Sequence, residues 1–228
     1  MAEFRTRPDG SKYPITPKKG AGAAVAAVMV GSVVALGAGG TGGVAVGGAV
    51  DSVVGNAANR IVGQAVRARV SRAKVSARSG RRIEAWVRMG LKQVKQKVDE
   101  QFQCAIHSYG QVRQFFLSNP CESLDRELVV VVDEGGNTFL VSVSWVEMPS
   151  IGQAERLRTI ADTYGTGNVS PIASAVLGLG EVRYTGKFYD SRIDAELVVI
   201  AESAVLTGRP DPDMLEGAAQ VAVQLPVR

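Results

Sequence analysis

The stretch LDRELVVVVDEGGNTFLVSVSWVEM, residues 124–148, does most to limit what this chain can fold into. Two apolar, β-branched runs flank Glu134-Gly135-Gly136-Asn137, which is the chemistry of a tight turn between antiparallel strands. In the second run Phe139, Val141, Val143 and Trp145, or their alternates, define the faces of the strand. A hairpin this apolar needs further layers to bury it, so its neighbours in sequence set the architecture.

Those neighbours supply helices and a second strand pair. SYGQVRQFFLSN reads as a short helix stopped by Pro120, and SIGQAERLRTIADTYG as another, with Ser150 at the N-cap position and Ala154, Leu157, Ile160 and Ala161 on one face. EVRYTGKFY and AELVVIAESAVL read as two more strands joined around Asp190 to Asp194. DPDMLEGAAQVAVQL closes the region as a helix with Pro212 in its first turn. The order is α-ββ-α-ββ-α, an α+β fold in which helices are expected to cover one face of an antiparallel sheet.

Charge divides the chain more sharply than its net +4 suggests. Residues 60–97 hold twelve Lys or Arg against Glu84 alone, whereas residues 98–228 hold nine basic and eighteen acidic residues. Such a split indicates two parts that meet different partners. It supports four regions: a basic polar leader (1–19), a Gly/Ala-rich segment (20–50), a basic helix or stalk (51–103) and the α+β domain (104–228).

The second region has no charge between Lys19 and Asp51. A helix needs about 20 mostly apolar residues to cross a bilayer, and the window Ala23 to Thr41 is rich enough in Val and Ala to qualify. Ala35, Gly39, Gly43 and Gly47 recur every fourth residue, a small-residue stripe that lets helices approach closely in lipid and implies self-association. A Gly/Ala linker is the competing reading, opposed by Val25, Val28, Met29, Val30, Val33, Val34 and Leu36. The segment is read as an uncleaved transmembrane span, its topology left open by basic residues on both sides.

Beyond it, Val62, Val66, Val70, Ala73 and Ala77, then Ile83, Val87, Leu91, Val94, Val98 and Phe102, fall at helical steps around the Ser79-Gly80 break. A long basic amphipathic helix is expected, with Trp86 as an anchor or packing residue. Arg67, Arg72, Arg78, Arg81, Arg82, Arg88, Lys92 and Lys95 would face an anionic surface. Membrane lipid is the favoured partner because an apolar segment adjoins the helix. The alternative is a soluble nucleic-acid-associated protein using residues 60–97 on the phosphate backbone.

Catalytic chemistry finds little support. His107 is the single histidine, and with Cys104 and Cys121 it makes too few ligands for a structural zinc site. Tyr164-Gly165-Thr166-Gly167-Asn168 lacks the strand and helix that frame a phosphate loop and reads as a turn. No enzyme activity and no cofactor are expected. Cys104 and Cys121 flank the first short helix of the domain, as either a disulfide or two reduced thiols. A bridge would put the domain in an oxidising compartment, outside the cytoplasm, with the leader inside.

SYGQVRQFFLSNPCESLDREL, VSVSWVEMPS, DTYGTGNV and VRYTGKFYDSR resemble blocks in a group of actinobacterial proteins of uncharacterised activity. The resemblance is confined to about residues 104–225. In that group a Gly/Ala-rich hydrophobic segment precedes the domain, which implies a membrane setting and assigns no functional residues. The expected protein is therefore membrane-anchored and non-enzymatic, with an extracytoplasmic domain that binds a partner or ligand.

Overall fold

A computed structural model describes residues 3–6, 12–15 and 50–228, with side chains from Gly63 onward. The chain divides into two compact units, 1–59 and 60–228. In the first, β1 (Glu3–Thr6) and β2 (Lys12–Ile15) pair antiparallel, with Glu3 opposite Ile15. The helix α1 spans Val50–Arg78. The uncharged tract, with Ala35, Gly39, Gly43 and Gly47, lies outside the described residues. Among the described residues no helix is long and apolar enough to cross a membrane.

The second unit is built on β4 (Ser123–Asp133) and β5 (Thr138–Glu147), the hairpin expected from the sequence. Its turn is closed by Asp133, whose Oδ1 accepts from the Gly135 and Asn137 amides, both at 2.9 Å. Around this pair stand α2 (Arg82–Met89), β3 (Leu91–Gln101), α3 (Gly110–Ser118), α4 (Ile151–Ala161), β6 (Tyr189–Asp194), β7 (Leu197–Thr207) and α5 (Pro212–Ala222). The order α3-β4-β5-α4-β6-β7-α5 is the expected one. The five strands form one antiparallel sheet in the order β3-β4-β5-β7-β6.

Three expectations are corrected. The basic helix does not continue to residue 103: it breaks at Gly80, resumes as α2 and ends at Gly90, which adopts a left-handed conformation (φ 78°). Residues 91–101 are a strand instead. The reason lies in β4, an interior strand that must satisfy backbone groups on both edges. β5 takes one edge and β3 the other, so the helical spacing of Val94, Val98 and Phe102 is incidental, and all three are exposed.

The sheet is also covered on both faces, not one. On the first face α1, α2 and α5 bury Val129, Val131, Phe139, Val141, Val143, Trp145, Val199 and Ala201. On the second, α3 and α4 pack over Leu124, Val146, Val198 and Ile200. The connection between α4 and β6, which holds a 3-10 turn at Ser174–Leu177, packs over Leu128, Val130 and Leu140. A strand buried on both sides reads as a continuous apolar run, and Val129 to Val132 is such a run.

The third correction concerns residues 181–188, expected as a strand. Gly186 is left-handed (φ 71°) and gives its amide to the Glu202 carboxylate, so the strand starts only at Tyr189. The β6–β7 turn consequently falls at Ala195-Glu196, where Ala195 has φ 53°.

At the close, α5 begins as its sequence implies. Pro212 occupies the first turn, and the Asp211 side chain caps the Asp213 amide at 2.9 Å. Ser150 does occupy the N-cap position of α4, though its hydroxyl makes no capping bond.

Candidate functional site

Adjacent residues of a strand point to opposite faces, and at Arg126 and Glu127 this sends two neighbouring charges into two separate interiors. Each must be paired there, because an isolated buried charge is very costly. The two environments are the polar centres of the domain.

On the second face, register aligns a polar band across the sheet. Arg126 lies opposite Ser144, and Ser142 lies opposite Glu202, all four at most 6% exposed. The band separates the two apolar clusters of that face. Arg126 donates from Nη1 to the Ser170 carbonyl at 3.0 Å and from Nη2 to Asp99 of β3. Glu202 accepts the Gly186 amide. Lys95, at the edge of the same face, donates to the Leu177 carbonyl at 2.9 Å. Apart from the Asp99 bond, which stays within the sheet, these bonds reach into the α4–β6 connection and hold it down on the sheet.

The titratable groups around the band are shifted accordingly. Burial alone would raise Asp99, but hydrogen bonds from Arg126 and Gln101, helped by the Arg126 charge, hold it below the usual carboxylate range. His107 is pushed down by burial and by the Arg126 charge, against the pull of Asp99. Burial and the Glu202 carboxylate push the Tyr184 phenol up, and act in the same sense on Tyr109. Arg126 Nε and Tyr184 Oη are buried without a hydrogen-bond partner among the described residues.

On the first face Glu127 is 1% exposed and accepts from Arg82 Nη1 at 2.5 Å, Gln96 Nε2 at 2.6 Å and Arg228 Nη2 at 3.3 Å. Arg82 also donates to the Pro226 carbonyl and lies 5.3 Å from the centre of the Trp145 ring. Burial lowers the Arg82 pKa, while the Glu127 charge opposes that shift. The indole of Trp145 donates to the Leu225 carbonyl at 2.8 Å. One carboxylate thus joins α2, β3, β4 and the segment after α5.

The residues expected to meet an anionic surface are dispersed. Arg67, Arg72 and Arg78 are exposed on α1, and Arg78 donates to Gln224 at 2.8 Å. Arg81 and Arg88 both pair with Glu84 at 2.6 Å. Arg82 is committed to Glu127, Lys95 to the Leu177 carbonyl, and Lys92 is exposed on β3. The eight therefore do not share one helical face, since Lys92 and Lys95 belong to the strand. Trp86 is a core residue at 1% exposure.

Cys104 and Cys121 are bonded, with Cα atoms 6.1 Å apart. The bridge ties the segment after β3 to the residues just before β4 and closes the loop that carries α3. His107 stands within that loop, its carbonyl accepting the Ser170 amide at 2.7 Å. Among the described residues no group of three or more His, Cys, Asp or Glu is placed to hold a metal ion.

Sequence reasoning passed over Arg126, Glu127 and Glu202. The available signal was a charge inside an apolar run, as in RELVVVV and VVIAESAV, which marks a buried ion needing a partner. No family model, curated protein or solved structure matches the chain.

Proposed function

We propose that this is a membrane-anchored, non-enzymatic protein whose α+β domain acts outside the cytoplasm as a binding module. The observation that carries the reading is the Cys104–Cys121 disulfide, a bond that persists in oxidising compartments and is rare in the cytosol. The uncharged tract before α1 supports an anchor, because it has the length and composition of a single span. Exposed Arg67, Arg72 and Arg78 on the helix that follows suit contact with anionic headgroups. The buried ions support a binding rather than a catalytic role, since Arg126, Glu202 and Glu127 are spent on holding segments of the chain together.

Membrane fractionation of the tagged full-length chain, followed by carbonate extraction, tests the anchor. Retention in the extracted membrane pellet is the expected result, and recovery in the soluble fraction at low salt overturns it. Soluble material retained on DNA in a steeply salt-dependent way would replace the reading with the nucleic-acid alternative. Thiol labelling of intact cells then reports the bridge. An unreactive pair that labels only after reductant is expected, whereas pre-existing free thiols would remove the argument for an extracytoplasmic domain.

A further inference from the structure

β3 is an edge strand of eleven residues, and among the described residues no backbone group outside β4 bonds to its backbone. Val94 and Val98 on the strand, and Phe102 just beyond it, are exposed. Ile83 and Val87 are exposed on α2, the helix that packs beside it.

Proteins usually blunt such edges with lysines and bulges. β3 carries both devices in its first half, where the register slips between Gln93 and Lys95. From Lys95 to Gln101 the pairing with β4 is regular. Lys95 turns its ammonium to the Leu177 carbonyl, so it does not guard the edge alone.

Charge order along the strand selects a partner. Lys95 and Lys97 come first, Asp99 and Glu100 follow, and a strand so arranged is complementary to itself when reversed. We infer that β3 pairs antiparallel with β3 of a second copy about a two-fold axis at Val98, extending the sheet to ten strands. In this register Val98 faces its counterpart, and Lys97 faces Asp99, whose carboxylate also meets Arg126, on both sides of the axis. Moving the register by two residues sets Lys97 against Lys97 or Asp99 against Asp99, and like charges directly opposite are unfavourable. The self-complementary contact is of the isologous kind that closes as a dimer and does not propagate. It is independent of the membrane reading and of the Gly stripe.

Cysteine cross-linking of the full-length chain tests the register. Because Cys104 and Cys121 are bonded, Val98→Cys introduces the one reactive thiol. Under mild oxidation with copper-phenanthroline it should form a covalent dimer, at least roughly tenfold more than Val87→Cys on the exposed side of α2. Lys97→Glu should weaken self-association by about tenfold in sedimentation, since two attractive contacts become repulsive. Equal cross-linking at positions 98 and 87 would mean association elsewhere in the chain and overturns the strand pairing. So does a Lys97→Glu variant, folded by circular dichroism, that sediments like the parent.

Discussion

Gly110 and Gly167 hold two backbones in direct contact. A Cβ built on Gly110 would stand 2.9 Å from the Gly167 Cα, and one built on Gly167 would stand 2.8 Å from the Gly110 Cα. Both residues have positive φ, 62° and 105°. The crossing is fastened on either side, by Tyr109 N–H to the Asn168 carbonyl at 3.0 Å and Gln111 N–H to the Thr166 carbonyl at 2.5 Å. This contact brings the loop after α4 against the start of α3 and, one step on, sets Ser170 over Arg126.

Alanine at either glycine must therefore move backbone, and rearranging side chains cannot relieve it. Gly110→Ala should cost at least about 2 kcal/mol by chemical denaturation, from left-handed strain plus the collision. Gly165→Ala is the matched control, because its φ is also positive (83°) while nothing lies within 4 Å of the added methyl. It should lose only about 1 kcal/mol. Equal losses at the two sites would mean that the backbones at Gly110 and Gly167 are not in contact.

Glu127→Ala should destabilise the domain by about 3–5 kcal/mol, the usual consequence of stripping one partner from a buried ion pair. The cause is the Arg82 guanidinium, left facing an apolar interior without its carboxylate. Pairing Glu127→Leu with Arg82→Met should recover much of the loss, as measured by denaturant midpoints. If the double variant is no better than Glu127→Ala, the cost lies in packing.

Removing the disulfide by Cys104→Ser with Cys121→Ser should cost about 3 kcal/mol, the chain-entropy value for a separation of 17 residues. A reductant should lower the thermal midpoint of the parent and leave that of the double variant unchanged. An equal fall in both would locate the effect away from this bond.

His107 predicts a pH dependence with a defined sign. Its folded pKa lies below the ordinary 6.5, owing first to burial and then to the Arg126 charge. The unfolded chain therefore binds the proton more readily over the window just below 6.5. The contribution of His107 is complete above that value and is lost as pH falls through the folded pKa. With a single histidine in the chain, its NMR titration should be unambiguous and displaced to low pH. His107→Asn should flatten the stability profile within that window, and an unchanged slope would assign it to other groups.

Legibility from the sequence followed the range of the forces involved. The β4–β5 hairpin was readable because Asp133 to Asn137 closes its turn locally, and α5 because Asp211 and Pro212 start it locally. β3 was not readable, because LKQVKQKVDEQ has spacing compatible with a helix and becomes a strand only by meeting the open edge of β4. The cysteine spacing allowed a bridge without requiring one. The buried Arg126 and Glu202 escaped for another reason: each finds its partners across long sequence separations, in β3 and in the α4–β6 connection.

The Arg82 guanidinium touches Glu127, the Pro226 carbonyl and the face of Trp145 together, so the worth of each contact depends on the others. For descent with modification this makes positions 82, 127 and 145 a single inherited unit. A lineage that exchanged one of them would pass through a destabilised intermediate, and the three should change together or stay as they are.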